Sequence, residues 1–218
     1  MNEPPPGLAA EQAKTLSTPR RPYGALARLL FLTMDLVYGR KRTLSKFKVL
    51  EVIARVPYQA WEHVAYIAMT HTYSKPYFAR RVFEFIRESR HQQDNEQWHL
   101  LILEEMVQKR KIRENFFLAR VVPQILAFVY YHISWLLYVI KPAWSYSLNA
   151  DFEDHAEHEY MEFVREHPEL EVERHESDFQ NDYGPFALTA DLFRQIALDE
   201  RLHKEESLAR VEGARFPG

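Results

Sequence analysis

Two Glu-x-x-His pairs, Glu96/His99 and Glu200/His203, narrow what this chain can become more than any other feature. Residues three apart project from one face of a helix, so each pair presents a carboxylate and an imidazole side by side. Glu96 and His99 lie in DNEQWHLLILEE, among Leu100, Leu101, Ile102, Leu103 and Met106. A polar pair in such apolar surroundings needs a partner, and the commonest is a metal. Each pair is preceded along the chain by a helical segment with an isolated Glu. Glu51 stands among Val49, Leu50, Val52 and Ile53, and Glu153 stands next to Phe152 and Ala156. A third pair, Glu88/His91, falls in the charged run RESRHQQDNE and reads as a solvated face.

Two single Glu residues and two Glu-x-x-His pairs on separate helices form the donor set of di-iron carboxylate four-helix bundles. The chemistry requires such a set. Four carboxylates largely balance two ferrous or ferric ions, and they can bridge or change binding mode as iron changes oxidation state. Two adjacent irons deliver electrons to O₂ in pairs. Asn95 and Asp199, each directly before the Glu of a pair, are natural hydrogen-bonding supports for the ligands. Tyr160 follows Glu153 by two helical turns and shares its face; Tyr58 stands in the same relation to Glu51. Taken locally, Glu51 has a second reading, an ion pair with Arg55 at i+4. The chain has no cysteine, so thiolate sites, disulfides and cysteine nucleophiles are excluded. Ligands must come from Glu, Asp and His, which suits iron or manganese. A net charge of -3 gives no nucleic-acid footprint, and no phosphate-cradling glycine loop is present.

The expected architecture is all-α: a ferritin-like four-helix bundle with a di-iron carboxylate centre, plus extra membrane-associated helices. One domain is expected over 23–212, between a flexible Pro-rich tail (1–22) and a short C-terminal tail (213–218). Residues 23–38 form an apolar helix followed by the cationic GRKRTLSK, which fits either a membrane-surface helix or a buried one. Residues 47–72 read as a helix bent at Pro57, and 77–90 as a connecting helix ahead of the one carrying Glu96. From 121 to 140 no Asp, Glu, Lys or Arg occurs, long enough to span a bilayer. Pro123, Gln124, His132 and Ser134 interrupt it, so a helix half-sunk in one leaflet is expected. Pro142 starts a new element, 150–166 is helical, 167–185 reads as a mobile polar loop, and 186–211 is the last helix.

The motifs around these residues resemble those of the alternative oxidases, above all the plastid terminal oxidase branch. VLEVIARVPY is similar to that branch's LETIARVPY, and NEQWHLLILEE to its NExxHLLIxEE. LAFVYYHISWLLYVIKP follows its long apolar segment before a Pro, FEDHAEHEY its V-E-S-H-A-x-E-T-Y, and LDERLH its DExxH close. The resemblance implies a membrane-bound, non-proton-pumping quinol oxidase that oxidises two quinols and reduces O₂ to water at two non-haem iron ions. It implies Glu51, Glu96, Glu153 and Glu200 as carboxylate ligands, with His99 and His203 completing or flanking the site, and Tyr160 as a redox-active catalytic tyrosine. Lys46, where the mitochondrial branch has Arg, and Leu50 are the implied quinone contacts. Gln97 stands where that branch has Arg, and Glu159 where Thr is usual. The implied partners are ubiquinol or plastoquinol, O₂, a lipid surface and a second copy in a homodimer. The short length and the lack of a transit peptide point to a bacterial form, monotopic on the cytoplasmic face of the inner membrane. Two other readings keep the fold: a di-iron hydroxylase acting on a quinone precursor or lipid, and a non-enzymatic membrane-associated bundle.

Overall fold

A computed structural model describes residues 7–213, which hold eight α-helices and one isolated antiparallel bridge, Arg174 with Leu188. In order these are α1 (Leu8–Ser17), α2 (Ala25–Tyr38), α3 (Leu44–Ala54), α4 (Val56–Thr70), α5 (Pro76–Lys109), α6 (Val122–Ile140), α7 (Pro142–Glu166) and α8 (Thr189–Val211). A π-helical turn, Phe117–Val121, leads into α6, and a 3₁₀ turn, Pro168–Glu171, follows α7. Helices α3/α4, α5, α7 and α8 make the bundle, with α7 and α8 the most extensively packed pair. This bears out the expected helical fold.

Local chemistry explains the breaks. Thr43 caps α3, its hydroxyl accepting from the Lys46 amide at 3.2 Å. The expected bend near Pro57 is an interruption at Arg55, between α3 and α4. Pro57 has no N–H and its ring crowds the carbonyl four residues back, so the helical ladder cannot run through unbroken. Only Lys141 separates α6 from α7; its extended backbone is what the following Pro142 demands. Gly39 ends α2 at φ 82, a left-handed conformation that favours glycine. The connecting helix and the helix carrying Glu96 are one 34-residue element, α5, because no Pro or Gly occurs beyond its first residue.

The N-terminal segment differs from the expected flexible tail. Residues 1–6 lie outside the described residues, but Leu8–Ser17 is a helix docked on α7 and α8, burying Leu8, Gln12 and Thr15. The Gln12 amide donates to the Met161 carbonyl at 3.0 Å, and the Thr15 hydroxyl to Glu157 at 2.7 Å. Arg201 of α8 reaches back to Glu11 and Thr15. Polar composition read as solvation is here polar pairing with buried charges on α7 and α8. Of the expected C-terminal tail, 214–218 lie outside the described residues.

Helices α2 and α6 flank the bundle with apolar side chains facing outward. Leu36 is 84% exposed and Phe128 66%, and Leu29, Leu32, Ile125 and Leu136 are exposed too. The stretch Phe117–Ile140 is, among the described residues, the one helical segment long and apolar enough to cross a membrane. Its inner side is packed: Ala127, Tyr130, Ser134 and Tyr138 are buried.

Candidate metal centre

Each helix of the bundle delivers its acidic residue to one buried place. Glu51 comes from α3, Glu96 and His99 from α5, Glu153 from α7, and Glu200 and His203 from α8. All six are buried. Their donor atoms form two overlapping groups, Glu51/Glu96/His99/Glu200 and Glu96/Glu153/Glu200/His203, in each of which the atoms lie within 4.8 Å of one another. Glu96 and Glu200 belong to both. His99 Nδ1 stands 3.4 Å from Glu51 Oε2 and 3.2 Å from Glu200 Oε1, and His203 Nδ1 stands 2.7 Å from Glu96 Oε1. Such a set could hold two metal ions, with Glu96 and Glu200 common to both groups.

Hydrogen bonding supports that fit. Glu51 Oε2, Glu153 Oε2, both oxygens of Glu96, both of Glu200, and Nδ1 of His99 and of His203 are buried without a hydrogen-bond partner. Orphaned buried polar atoms are costly and rare, yet here they converge on one spot. The remaining oxygens of the two single Glu residues are satisfied. Tyr160 donates to Glu51 Oε1, and Tyr58 donates to Glu153 Oε1 at 2.8 Å. Asn149 in turn donates to the Tyr58 oxygen at 3.0 Å. Each lone carboxylate is therefore pinned by a tyrosine on one oxygen and free on the other.

The protein's own charges leave the set short of cations. Burial, and then the charge of Glu200, push Glu51 well above the usual carboxylate range; burial, Glu200 and Glu96 do the same to Glu153. Burial alone would raise Glu96 too, but the imidazoles of His203 and His99 beside it outweigh that and hold Glu96 well below that range. Burial works against a charged imidazole, yet the groups around His99 (Tyr183, Asp199, Glu200 and Glu51) raise it well above an ordinary histidine.

Behind His99, Nε2 lies 3.2 Å from Asp199 Oδ2. The same aspartate accepts from Tyr183 at 2.6 Å, Gln195 at 2.9 Å and Asn95 at 3.3 Å. Asn95 and Asp199 thus stand behind the histidine ligand candidate, where such supports fix ring orientation. Tyr183 and Asn149 were not singled out from the sequence. Tyr183 sits in the segment read as a mobile loop; Asn149 lies one turn before Glu153 on α7, a spacing that could have drawn attention. The alternative pairing of Glu51 with Arg55 does not occur: Arg55 donates to Gln97 Oε1 at 2.5 Å. Lys46 donates to Asp35 at 2.6 Å and to the Gly39 carbonyl at 3.0 Å, and Leu50 is buried in the core. A further acidic group, Asp154/Glu157/His158, is already occupied by cations of the protein, with Lys204 bridging Asp154 and Glu157 and Arg201 on Glu157.

A family model described as alternative oxidase matches residues 21–206. The chain belongs to the alternative oxidase family. The resemblance drawn from the motifs is borne out. Ubiquinol oxidase 4, chloroplastic/chromoplastic, of Arabidopsis thaliana is 32% identical over 132 residues, 61% of this chain and 34% of that protein. The match therefore reaches only about a third of that relative's length. All six donors of this alternative oxidase lie inside the family match, as do Tyr58, Tyr160 and Tyr183.

Proposed function

We propose that this alternative oxidase is a membrane-bound, non-haem di-iron quinol oxidase: two quinols and one O₂ give two quinones and two waters, without proton pumping. The observation that carries the reading is the convergence of eight orphaned donor atoms in two groups that share Glu96 and Glu200. Glu51, Glu96, His99, Glu153, Glu200 and His203 would hold two iron ions, which when bound supply paired electrons to O₂. Asp199 and Asn95 keep the His99 ring in place. Tyr160 would lend one electron and one proton, the proton passing along its existing hydrogen bond to Glu51 Oε1, and quinol would restore both. Aromatic rings exclude water around it, with Phe47 stacked on Tyr160 at 4.3 Å and Phe193 beyond.

Quinol is supported as the reductant by family membership and by the relative's name. Lys46 and Leu50 are the proposed quinone contacts; both lie on α3, on the stretch leading to Glu51. The outward apolar faces of α2 and α6 support a monotopic seat in one leaflet; the cytoplasmic face of a bacterial inner membrane is the proposed location. The test is quinol-dependent O₂ uptake in cyanide, with ubiquinol and plastoquinol compared. Uptake is expected in the wild type and none in Glu96→Ala; full activity in that variant contradicts the reading. After turnover in ¹⁸O₂ the label is expected in water, and label in an organic product would point to a hydroxylase.

A further inference from the structure

The third Glu-x-x-His pair, Glu88/His91, does not join the buried donor set. It lies on the same helix, α5, further from the set and nearer solvent, both residues being exposed. From there Gln92, Asn95, Glu96 and His99 follow at steps of one, three, one and three residues, descending one side of the helix into the cluster. Across from it, α8 carries Glu206, His203 and Glu200 at steps of three. Between the two rows lies a cavity of about 190 Å³ lined in part by Glu88, His91, Gln92, His203 and Glu206. His203 is common to that cavity and to the donor set.

We propose that this α5–α8 cleft is the entry port through which divalent iron reaches the centre, with Glu88, His91 and Glu206 as transient ligands and Gln92 as the next donor inward. The inference rests on the di-iron reading and extends it from where the metal resides to how it arrives. Three observations support it. The donor types are carboxylate, imidazole and amide oxygen, all acceptable to a ferrous ion. Exposure falls along the row, from exposed Glu88 and His91 through Gln92 at 3% to Glu96 at 0%. Gln92 carries a buried Oε1 with no partner on the wall of the cleft, while its amide nitrogen is held by Glu206. The opposite walls of the centre are closed by the packed rings of Phe47, Tyr58, Tyr160 and Phe193. Arg210 competes for this mouth, donating to Glu88 at 2.6 Å.

The test is the rate at which metal-free protein takes up Co²⁺, read by the visible absorption of the bound ion under anaerobic conditions. The double variant His91→Gln/Glu206→Gln removes the charge and the imidazole that guide the ion inward. It should load about tenfold more slowly at low salt, with the same final Co²⁺ content and, once loaded with iron, the same O₂ uptake. Arg210→Gln, which frees Glu88, should load faster. His91→Gln alone, a change of one exposed side chain, keeps the test open if the double variant is poorly folded, and is expected to slow loading to a lesser degree. Wild-type rates in the double variant overturn the port. A final metal content below wild type also overturns it, because these residues would then be resident ligands. Failure of wild-type protein to take up Co²⁺ would contradict the metal centre itself, and the port with it.

Discussion

The hydroxyl of Tyr58 donates to Glu153 at 2.8 Å and accepts from Asn149 at 3.0 Å, and so fixes one oxygen of a buried carboxylate while the other faces the donor cluster. Tyr160 holds Glu51 in the same way from the other side. Tyr58→Phe should lower stability by about 1–3 kcal/mol, because a buried carboxylate oxygen and one N–H of Asn149, whose amide keeps its bond to Ser207, lose their partner. Tyr160→Phe should cost a comparable amount. Their chemistry should differ: with iron content matched, Tyr160→Phe abolishes quinol-dependent O₂ uptake and Tyr58→Phe retains a measurable share. Thermal melts and an oxygen electrode separate the two effects, and equal loss of turnover in both variants would remove the special role of Tyr160.

Removing a ligand should change the metal-free protein little and the metal-loaded protein much. The four carboxylates are buried together and repel one another, and burial with Glu200 and Glu96 holds Glu153 well above its ordinary range. Glu153→Gln removes a carboxyl that burial already pushes toward its neutral form and keeps an oxygen to accept from Tyr58, so the metal-free variant should melt close to the metal-free wild type. Adding Fe²⁺ anaerobically should raise the wild-type melting temperature by linkage and raise that of the variant far less. A metal-free variant well below wild type, with an undiminished metal response, would argue against Glu153 as a ligand.

The pairs Glu96/His99 and Glu200/His203 were legible because helical spacing fixes a face without any long-range information. Glu51 and Glu153 were legible only through their place in the order of helices. Other features depend on which distant residues meet. Helix α1 is held by Arg201 and Glu157, far along the chain, and nothing within residues 8–17 announces burial. Tyr183 reaches Asp199 from an irregular segment with no periodicity to read. Gln92 looked like surface in RESRHQQDNE, yet it is buried because α8 covers that side of α5.

Acid should weaken one tie between α3 and α5. Lys48 is buried and donates to Glu104 at 2.6 Å and Glu114 at 2.5 Å. Burial would raise Glu104, but the Lys48 hydrogen bond outweighs it, and the carboxyl is held down to about 2 from an ordinary 4.5. A depressed carboxylate stabilises the fold fully above the unfolded value and loses that contribution as pH falls through the folded one. The window is therefore pH 4.5 down to about 2, and for a partly exposed, screened pair the loss is roughly 1–2 kcal/mol. Urea unfolding of wild type and Glu104→Gln at pH 7 and pH 3 checks this: the gap between them should narrow in acid. Parallel behaviour at both pH values would contradict it.

The membrane seat predicts release by detergent and not by high salt. Leu32 on α2 and Phe128 on α6 are 63% and 66% exposed, so Leu32→Glu with Phe128→Glu places charge in the proposed lipid-facing surface without disturbing the core. The double variant should move to the soluble fraction with its iron retained. Protease-accessible sites on both sides of the membrane would show instead that the Phe117–Ile140 segment spans it.

The most direct measurement of the central claim is Mössbauer spectroscopy of ⁵⁷Fe-loaded protein together with its iron content. Two groups sharing Glu96 and Glu200 predict two irons per chain and, when oxidised, an antiferromagnetically coupled pair with a diamagnetic ground state. One iron per chain, or two that are magnetically independent, would contradict the shared-carboxylate centre.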